Sequence, residues 1–219
     1  MTPEQLNRTE ILQLLHTPEP DAEFSAMLDA AAEELCAAVR ERRIWRVLPV
    51  THTESGVALG GLALGGQDIA KHLSGCGEAV LLGATLSAGV DALICRAEHT
   101  DMLRALMFDA IAGAAIERVC DDLTAELRQT LPYPYFTERF SPGYGDFPLT
   151  QQGALVQMLD AARKIGLTVT PHSTMIPMKS VTALIGLSHS PVQDARRFGC
   201  GRDCGECPYR DGCSMRSEE

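Results

Sequence analysis

The sequence is poor in aromatic residues, in positive charge and in long apolar runs. Phe, Trp and Tyr make up 5% of its 219 residues, whereas alanine and glycine are abundant and favour helices and close backbone packing. The formal net charge is −10, and Lys and Arg form no block, which argues against a nucleic-acid partner. The longest apolar runs, such as Ala79 to Val90, contain glycine and polar residues and are too short to cross a bilayer.

Several signals of secretion and catalysis are also missing. Residues 1–10 are polar, with no apolar segment of the kind found in signal peptides, so we expect a cytoplasmic protein with no membrane association. The sequence has no HExxH motif and no Ser-His-Asp set. The pairs Gly60-Gly61 and Gly65-Gly66 lack a following Lys-Ser/Thr and the GxGxxG spacing, so we interpret them as tight turns or close strand packing. No catalytic residue is predicted.

Four cysteines are concentrated near the end of the sequence, at Cys200, Cys204, Cys207 and Cys213. The gaps of three, two and five residues let a short loop wrap one metal centre. Zinc sites more often pair two close cysteines with a second pair a dozen or more residues away, whereas four ligands in one short loop suit a compact cluster. We therefore predict a [4Fe–4S] cluster, with zinc and a disulfide-bonded or unligated tail as the alternatives.

The remaining pattern predicts one α+β domain over residues 1–195, followed by the cysteine-rich tail at 196–219. Helices and strands do not alternate regularly, which favours a largely antiparallel sheet. Helices are expected over 3–15, 21–42, 67–73, 88–130 with a break near 99–101, and 150–164, and strands over 44–53, 57–59, 78–86, 167–170, 175–178 and 181–187. Asp21, Thr100 and Thr150 are the predicted helix caps.

Residues 131–148 form the one long segment with no regular period, and they include the run Arg139-Phe140-Ser141-Pro142-Gly143-Tyr144-Gly145. An arginine can pair with a carboxylate, glycine lets the backbone approach a ligand, and two aromatic faces can cover a flat or cationic group. An amino-acid-bearing nucleotide would fit these groups. A packed turn with a surface arginine is the alternative that the residues alone leave open.

This run, the following helix, Gly-Leu-Thr-Val-Thr and the strand ending in Leu-Ser-His-Ser-Pro resemble the reactivation domain of cobalamin-dependent methionine synthase. The resemblance is best over about 101–191 and extends to free-standing members of the family. It implies that Arg139, Phe140, Pro142, Gly143 and Tyr144 bind S-adenosylmethionine (AdoMet). It also makes Glu117, on the preceding helix, a candidate for the AdoMet amino group or sulfonium. A solvated helix glutamate is the alternative for that residue.

The sequence departs from the family pattern after the tyrosine. Gly145-Asp146-Phe147-Pro148 stands where the family has Pro-Ala-Cys-Pro, which alters the floor of the expected site. The Cys200-x3-Cys204-x2-Cys207 spacing also matches radical-AdoMet enzymes, but only twelve residues follow Cys207 and one of them is a fourth cysteine. We therefore do not interpret the tail as a radical-AdoMet site.

The function implied by the resemblance is that of an accessory subunit, active in methionine biosynthesis, for a corrinoid methyltransferase. Such a subunit would use AdoMet and one electron to remethylate the cobalamin of its partner. The expected electron donor is a protein such as flavodoxin or ferredoxin, and a cluster in the tail would relay the electron. The alternative is a non-catalytic module that binds a corrinoid protein and whose tail is held by a structural zinc.

Overall fold

The structure is a computed structural model that describes residues 1–54 and 56–192. In this part of the chain the helices are α1 (Arg8–Leu14), α2 (Ala22–Ala38), α3 (Gln67–His72), α4 (Ala88–Thr100), α5 (Met102–Thr130), α6 (Gln152–Leu159) and α7 (Ala161–Ile165). The strands are β1 (Arg42–Thr53), β2 (Gly56–Leu59), β3 (Leu62–Leu64), β4 (Glu78–Thr85), β5 (Tyr135–Phe136), β6 (Thr168–Val169), β7 (Met175–Ile176) and β8 (Ser180–Ser188).

The fold is α+β, as predicted. Six strands form the main sheet in the order β3-β2-β1-β4-β8-β5, and β6 pairs with β7 in a separate ribbon. The pairings of β1 with β2, β2 with β3 and β5 with β8 are all antiparallel. Neighbours in the sheet are distant in sequence where β1 meets β4 and where β4 meets β8. The β2–β3 hairpin and α3 lie between β1 and β4, whereas α4 to α7 and the short strands β5, β6 and β7 lie between β4 and β8.

The first of two compact units contains residues 1–44, 83–126 and 160–181. Its core is one cluster of buried apolar side chains supplied largely by α2, α4 and α5. Fully buried members include Leu35, Val90, Ile111 and Ala115. Many of the buried positions on α5 are alanines, which is the close packing expected from the alanine-rich composition.

The second unit contains residues 45–82 and 127–159 and the described residues from Thr182 on. It holds the β2–β3 hairpin, α3, α6 and the irregular segment 131–148. Leu59, Ile69, Leu73, Phe147 and Leu184 are among its fully buried side chains. Because α3 and the irregular segment both contribute to this buried set, the loop of interest rests on an apolar interior.

The β2–β3 hairpin confirms the interpretation of the first glycine pair. Leu59 is paired with Leu62, so Gly60 and Gly61 form a two-residue turn. Their φ angles of 54° and 90° lie in the region that glycine tolerates and most residues avoid. Strand β3 is too short to have been predicted from periodicity.

The helix boundaries confirm one predicted cap and correct two. Asp21 caps α2, where its carboxylate accepts the Phe24 N–H at 2.8 Å. Thr100 is the last residue of α4, and the cap of α5 is Asp101, whose Oδ1 accepts the Arg104 N–H at 3.1 Å. Thr150 lies within a 3-10 turn that precedes α6. The helix expected over 150–164 is also broken at Asp160, where the backbone is left-handed with φ of 54°.

Candidate functional site

The predicted AdoMet loop lies in the second unit, where β8 holds it at two points. Thr137 donates its backbone N–H to the Gly186 carbonyl at 3.0 Å. Phe140 exchanges backbone hydrogen bonds with Leu184 at 2.9 and 2.8 Å. Arg139 lies between these two points, and its side chain is half-buried. The backbone that carries the predicted arginine is therefore fixed to β8, an interior strand of the sheet that lies between β4 and β5.

The turn that follows is closed by its own backbone. Tyr144 donates to the Ser141 carbonyl at 3.1 Å, Phe147 donates to the Tyr144 carbonyl at 3.0 Å, and Gly143 donates to the Phe147 carbonyl at 2.8 Å. Gly143 has a φ of 96°, a conformation that strains any residue with a β-carbon. The glycine of the motif is therefore required by the turn itself.

The loop residues differ in exposure, and this separates two kinds of contribution. Phe140 is 5% exposed, and the centroid of its ring lies 4.9 Å from that of His72 and 6.2 Å from that of Phe147. Pro142 is also buried. Gly143 is exposed, and Tyr144 is 49% exposed, with its ring edge-on to Phe140 at 6.2 Å. Of the two aromatic faces expected to cover a ligand, Tyr144 faces outward whereas Phe140 supports the loop from within.

His72 supports the loop from below, a contact that the sequence did not predict. Its side chain is 6% exposed, and Nε2 lies 2.8 Å from the Thr137 hydroxyl, which also accepts the Gly186 N–H at 2.8 Å. Within the described residues, Nδ1 has no hydrogen-bond partner. Burial lowers the pKa of His72 to about 4, against opposing contributions from the backbone and carboxylate of Glu138. The imidazole is therefore neutral at physiological pH.

Glu117, the predicted acidic candidate, belongs to the first unit, whereas Arg139, Phe140, Pro142, Gly143 and Tyr144 are brought together in the second. Glu117 is half-buried on α5 and lines a cavity of about 290 Å³. The other lining residues are Gln5, Leu6, Asn7, Glu10, Ala114, Arg118 and Asp121. The assignment of Glu117 to AdoMet stays a prediction.

The cavity is lined by three acidic side chains, those of Glu10, Glu117 and Asp121. Burial raises the pKa of Glu10, and the negative charges of Glu117 and Asp121 raise it further. Arg118 also lines the cavity, but its guanidinium pairs with Asp122 at 2.8 Å. The surroundings of Glu117 therefore have the sign of charge that a cationic group prefers.

The comparisons with known proteins identify the family. Residues 79–205, more than half of the chain, match the family model described as the activation domain of vitamin B12 dependent methionine synthase. The chain belongs to this family. A comparison with curated proteins found no match.

A solved structure shows the same fold as this activation-domain family member. It is the crystal structure of the MetH reactivation domain bound to AdoHcy, with a TM-score of 0.65 and 14% sequence identity. The match covers 87% of this chain and 78% of that one. The family resemblance inferred from the Arg-x-x-Pro-Gly-Tyr run and the elements after it is thus confirmed, and the matched range starts earlier than predicted, at β4.

The predicted metal ligands Cys200, Cys204, Cys207 and Cys213 lie outside the described residues. Over residues 1–54 and 56–192, no group of three or more His, Cys, Asp or Glu side chains is arranged to hold a metal ion. Three of the four other cysteines, Cys36, Cys76 and Cys120, are buried thiols as expected, whereas Cys95 is exposed. None of the helices in the described part of the chain is both long and apolar enough to span a membrane.

Proposed function

We propose that this activation-domain protein binds AdoMet at the loop 139–144 and takes part in the reductive remethylation of cobalamin. The cobalamin would be carried by a partner corrinoid methyltransferase of the methionine synthase type. Membership of the family supports the activation role, and the AdoHcy bound to the structural neighbour supports the ligand class. The observation that carries the proposal is the placement of Arg139 on an anchored backbone, one turn from the exposed Gly143 and Tyr144.

The loop has the groups that AdoMet requires. The Arg139 guanidinium would pair with the amino-acid carboxylate, because its planar fork matches two carboxylate oxygens. Gly143 exposes backbone without a β-carbon, which permits close approach of a ligand. The outward ring of Tyr144 would cover the adenine or the sulfonium. Phe140 and Pro142, both buried, would act by holding this surface in place.

The chemistry required is a coupled transfer to cobalt. In the proposed reaction, inactive cob(II)alamin gains one electron from a protein donor such as flavodoxin or ferredoxin, and bound AdoMet supplies the methyl group, leaving AdoHcy. The methyl transfer makes the uphill reduction effectively irreversible. The contribution of this chain is to hold AdoMet in one orientation, since positioning of two reactants supplies a large share of such rate enhancement.

We expect Arg139→Ala to weaken AdoMet binding about 30-fold, equivalent to ~2 kcal/mol for a charge-assisted pair. The AdoMet affinity of Arg139→Lys should lie between those of Arg139→Ala and wild type, because lysine keeps the positive charge but lacks the planar guanidinium fork. Isothermal titration calorimetry with AdoMet measures both. Arg8→Ala is the matched control, since Arg8 is an exposed arginine paired with Asp29 in the first unit. Equal affinity of Arg139→Ala and wild type, or no binding by either, would contradict the loop assignment.

For the tail we propose that Cys200, Cys204, Cys207 and Cys213 hold a [4Fe–4S] cluster that relays the electron. Anaerobically purified protein should then be brown, bleach with dithionite, and contain about four iron and four sulfide per chain. Cys213→Ser should lower the bound iron, whereas Cys95→Ser, which changes an exposed cysteine of α4, should not. A colourless protein with one bound zinc would instead favour the structural tail, and the relay would be abandoned.

A further inference from the structure

Asp146, which follows the run Arg139–Gly145 and lies within the closed turn, is bonded to Asp68 at the start of α3, seventy-eight positions away along the chain. Its Oδ2 accepts the Gln67 N–H at 2.7 Å, and its Oδ1 accepts the Asp68 N–H at 2.9 Å. In return, Asp68 Oδ2 accepts the Asp146 N–H at 3.2 Å. Each carboxylate thus satisfies backbone donors of the other segment. We call this arrangement the carboxylate lock.

The lock requires glycine on both sides. A β-carbon at Gly66 would lie 2.6 Å from Asp146 Oδ1, and one at Gly145 would overlap Asp68 Oδ2. Both glycines also have positive φ angles, 100° and 53°. The two segments therefore approach more closely than any side-chain-bearing residue at 66 or 145 would allow. This close approach gives a role to the departure from the family pattern at 145–148.

Nearby N–H groups and one lysine stabilise the negative charges of the two carboxylates in the lock. The N–H groups of Asp68 and Gln67 hold the pKa of Asp146 below its usual value, and the positive charge of Lys71 contributes in the same direction. Lys71 Nζ also lies 3.7 Å from Asp68 Oδ1, which offsets the negative charge of the second carboxylate. Asp146 is therefore ionised at neutral pH, and its carboxylate accepts the two N–H groups more strongly than a neutral side chain would.

We infer that Asp146 is a positioning residue for Tyr144. The lock lies two residues beyond Tyr144, within the turn closed by the bonds between Gly143, Tyr144 and Phe147. His72, the last residue of α3, contacts Phe140 at the beginning of the turn, so one short helix supports the turn at both ends. A loop held in this way loses little conformational entropy when it binds a ligand. The consequence for AdoMet affinity rests on the proposed function.

The test compares Asp146→Ala and Asp146→Asn with Asp29→Ala, which removes an exposed aspartate of the first unit. Proteins labelled with 3-fluorotyrosine give one ¹⁹F resonance for each of the four tyrosines, and Tyr144→Phe assigns the resonance of Tyr144. Without ligand, we expect Asp146→Ala to shift and narrow the Tyr144 resonance, because the freed ring moves faster. Amide exchange at Gln67 and Asp68 should increase in the same variant. Asp146→Asn keeps one acceptor and should show a smaller change.

The affinity for AdoMet is the second measurement. We expect about a tenfold loss in Asp146→Ala, partial recovery in Asp146→Asn and no change in Asp29→Ala. An unaltered Tyr144 resonance in Asp146→Ala would overturn the inference, whatever the affinities. An altered Tyr144 resonance with unchanged AdoMet affinity would show that Asp146 does not position the ligand site, and would overturn that part of the inference. If wild type binds no AdoMet but the Tyr144 resonance responds, the proposed function fails and the control of Tyr144 by Asp146 stands.

Discussion

We expect the free energy of unfolding to decrease by about 3 kcal/mol between pH 6.5 and pH 4 through His72 alone. The pKa of this buried imidazole is lowered from the ordinary 6.5 to about 4 in the folded protein. Well above pH 6.5, the His72 imidazole is neutral in both the folded and the unfolded protein, so its full contribution to stability is present. As pH falls, the unfolded chain binds the proton first, so unfolding is favoured progressively until the folded state also protonates near pH 4.

Denaturant unfolding at a series of pH values measures this dependence. His72→Gln is the informative variant, because glutamine places a polar nitrogen or oxygen near the position of Nε2 and does not titrate. It should flatten the decrease between pH 6.5 and pH 4, even if its stability at neutral pH is lower. His172→Gln, which removes an exposed histidine, is the control for the loss of one imidazole. If the free energy of unfolding of both variants depends on pH as steeply as that of wild type, His72 is not buried in its neutral form.

Gly186→Ala should destabilise the second unit by about 3 kcal/mol, the upper end of the usual cost of overpacking. A β-carbon at this position of β8 would lie 2.5 Å from Cys76 Sγ, 3.1 Å from Thr137 Cγ2 and 3.2 Å from Leu73 Cδ2. Leu73 and Cys76 belong to the turn that follows α3 and are at most 1% exposed, whereas Thr137 belongs to the motif loop. No single side-chain rotation therefore relieves the crowding. Thr137 also anchors the motif loop, so the loop backbone would be displaced.

Chemical denaturation of Gly186→Ala and of the double variant with Cys76→Ala tests this account. Burial raises the pKa of the Cys76 thiol to about 11, so at neutral pH it is an uncharged, buried group. Its replacement by alanine removes the bulk of the sulfur and one long S–H···O contact to the Ser74 carbonyl at 4.0 Å, and no charge. The double variant should recover part of the lost stability. Gly153→Ala, at a helical position with open space, is the control and should be neutral or stabilising. Similar losses in both glycine variants would refute a clash specific to Gly186.

The fold was predicted well where one local signal acts alone. Helices α2 and α3 and strands β1 and β4 follow from apolar periodicity and lie within a few residues of the predicted ranges. Strand β5 was not predicted, because two residues inside a proline-rich segment carry no period. The single helix expected over 150–164 was also wrong, since nothing local to Asp160 announces its left-handed backbone. Such breaks depend on what each side of the helix packs against.

The candidate site shows the same division. The residues Arg139, Gly143 and Tyr144 were predicted from the motif, and the φ angle of Gly143 gives a structural reason for the glycine. Their supports were not identified, because His72 contacts Thr137 across 65 positions and Asp146 bonds to Asp68 across 78. No spacing rule reaches over such distances. The exposure of each aromatic ring was undetermined for the same reason.

The sequence by itself determined the family, the α+β class, the motif loop and the four-cysteine tail, since each is written in neighbouring residues or in the order of elements. Tertiary structure alone decided which of these loop residues face outward and what holds them there. Tyr144 is exposed and Phe140 is buried because β8 and α3 close on one side of the loop, and α3 is bound there by Asp146. Burial and long-range hydrogen bonds are properties of the packed chain, so the loop acquires a defined shape only when the second unit is assembled.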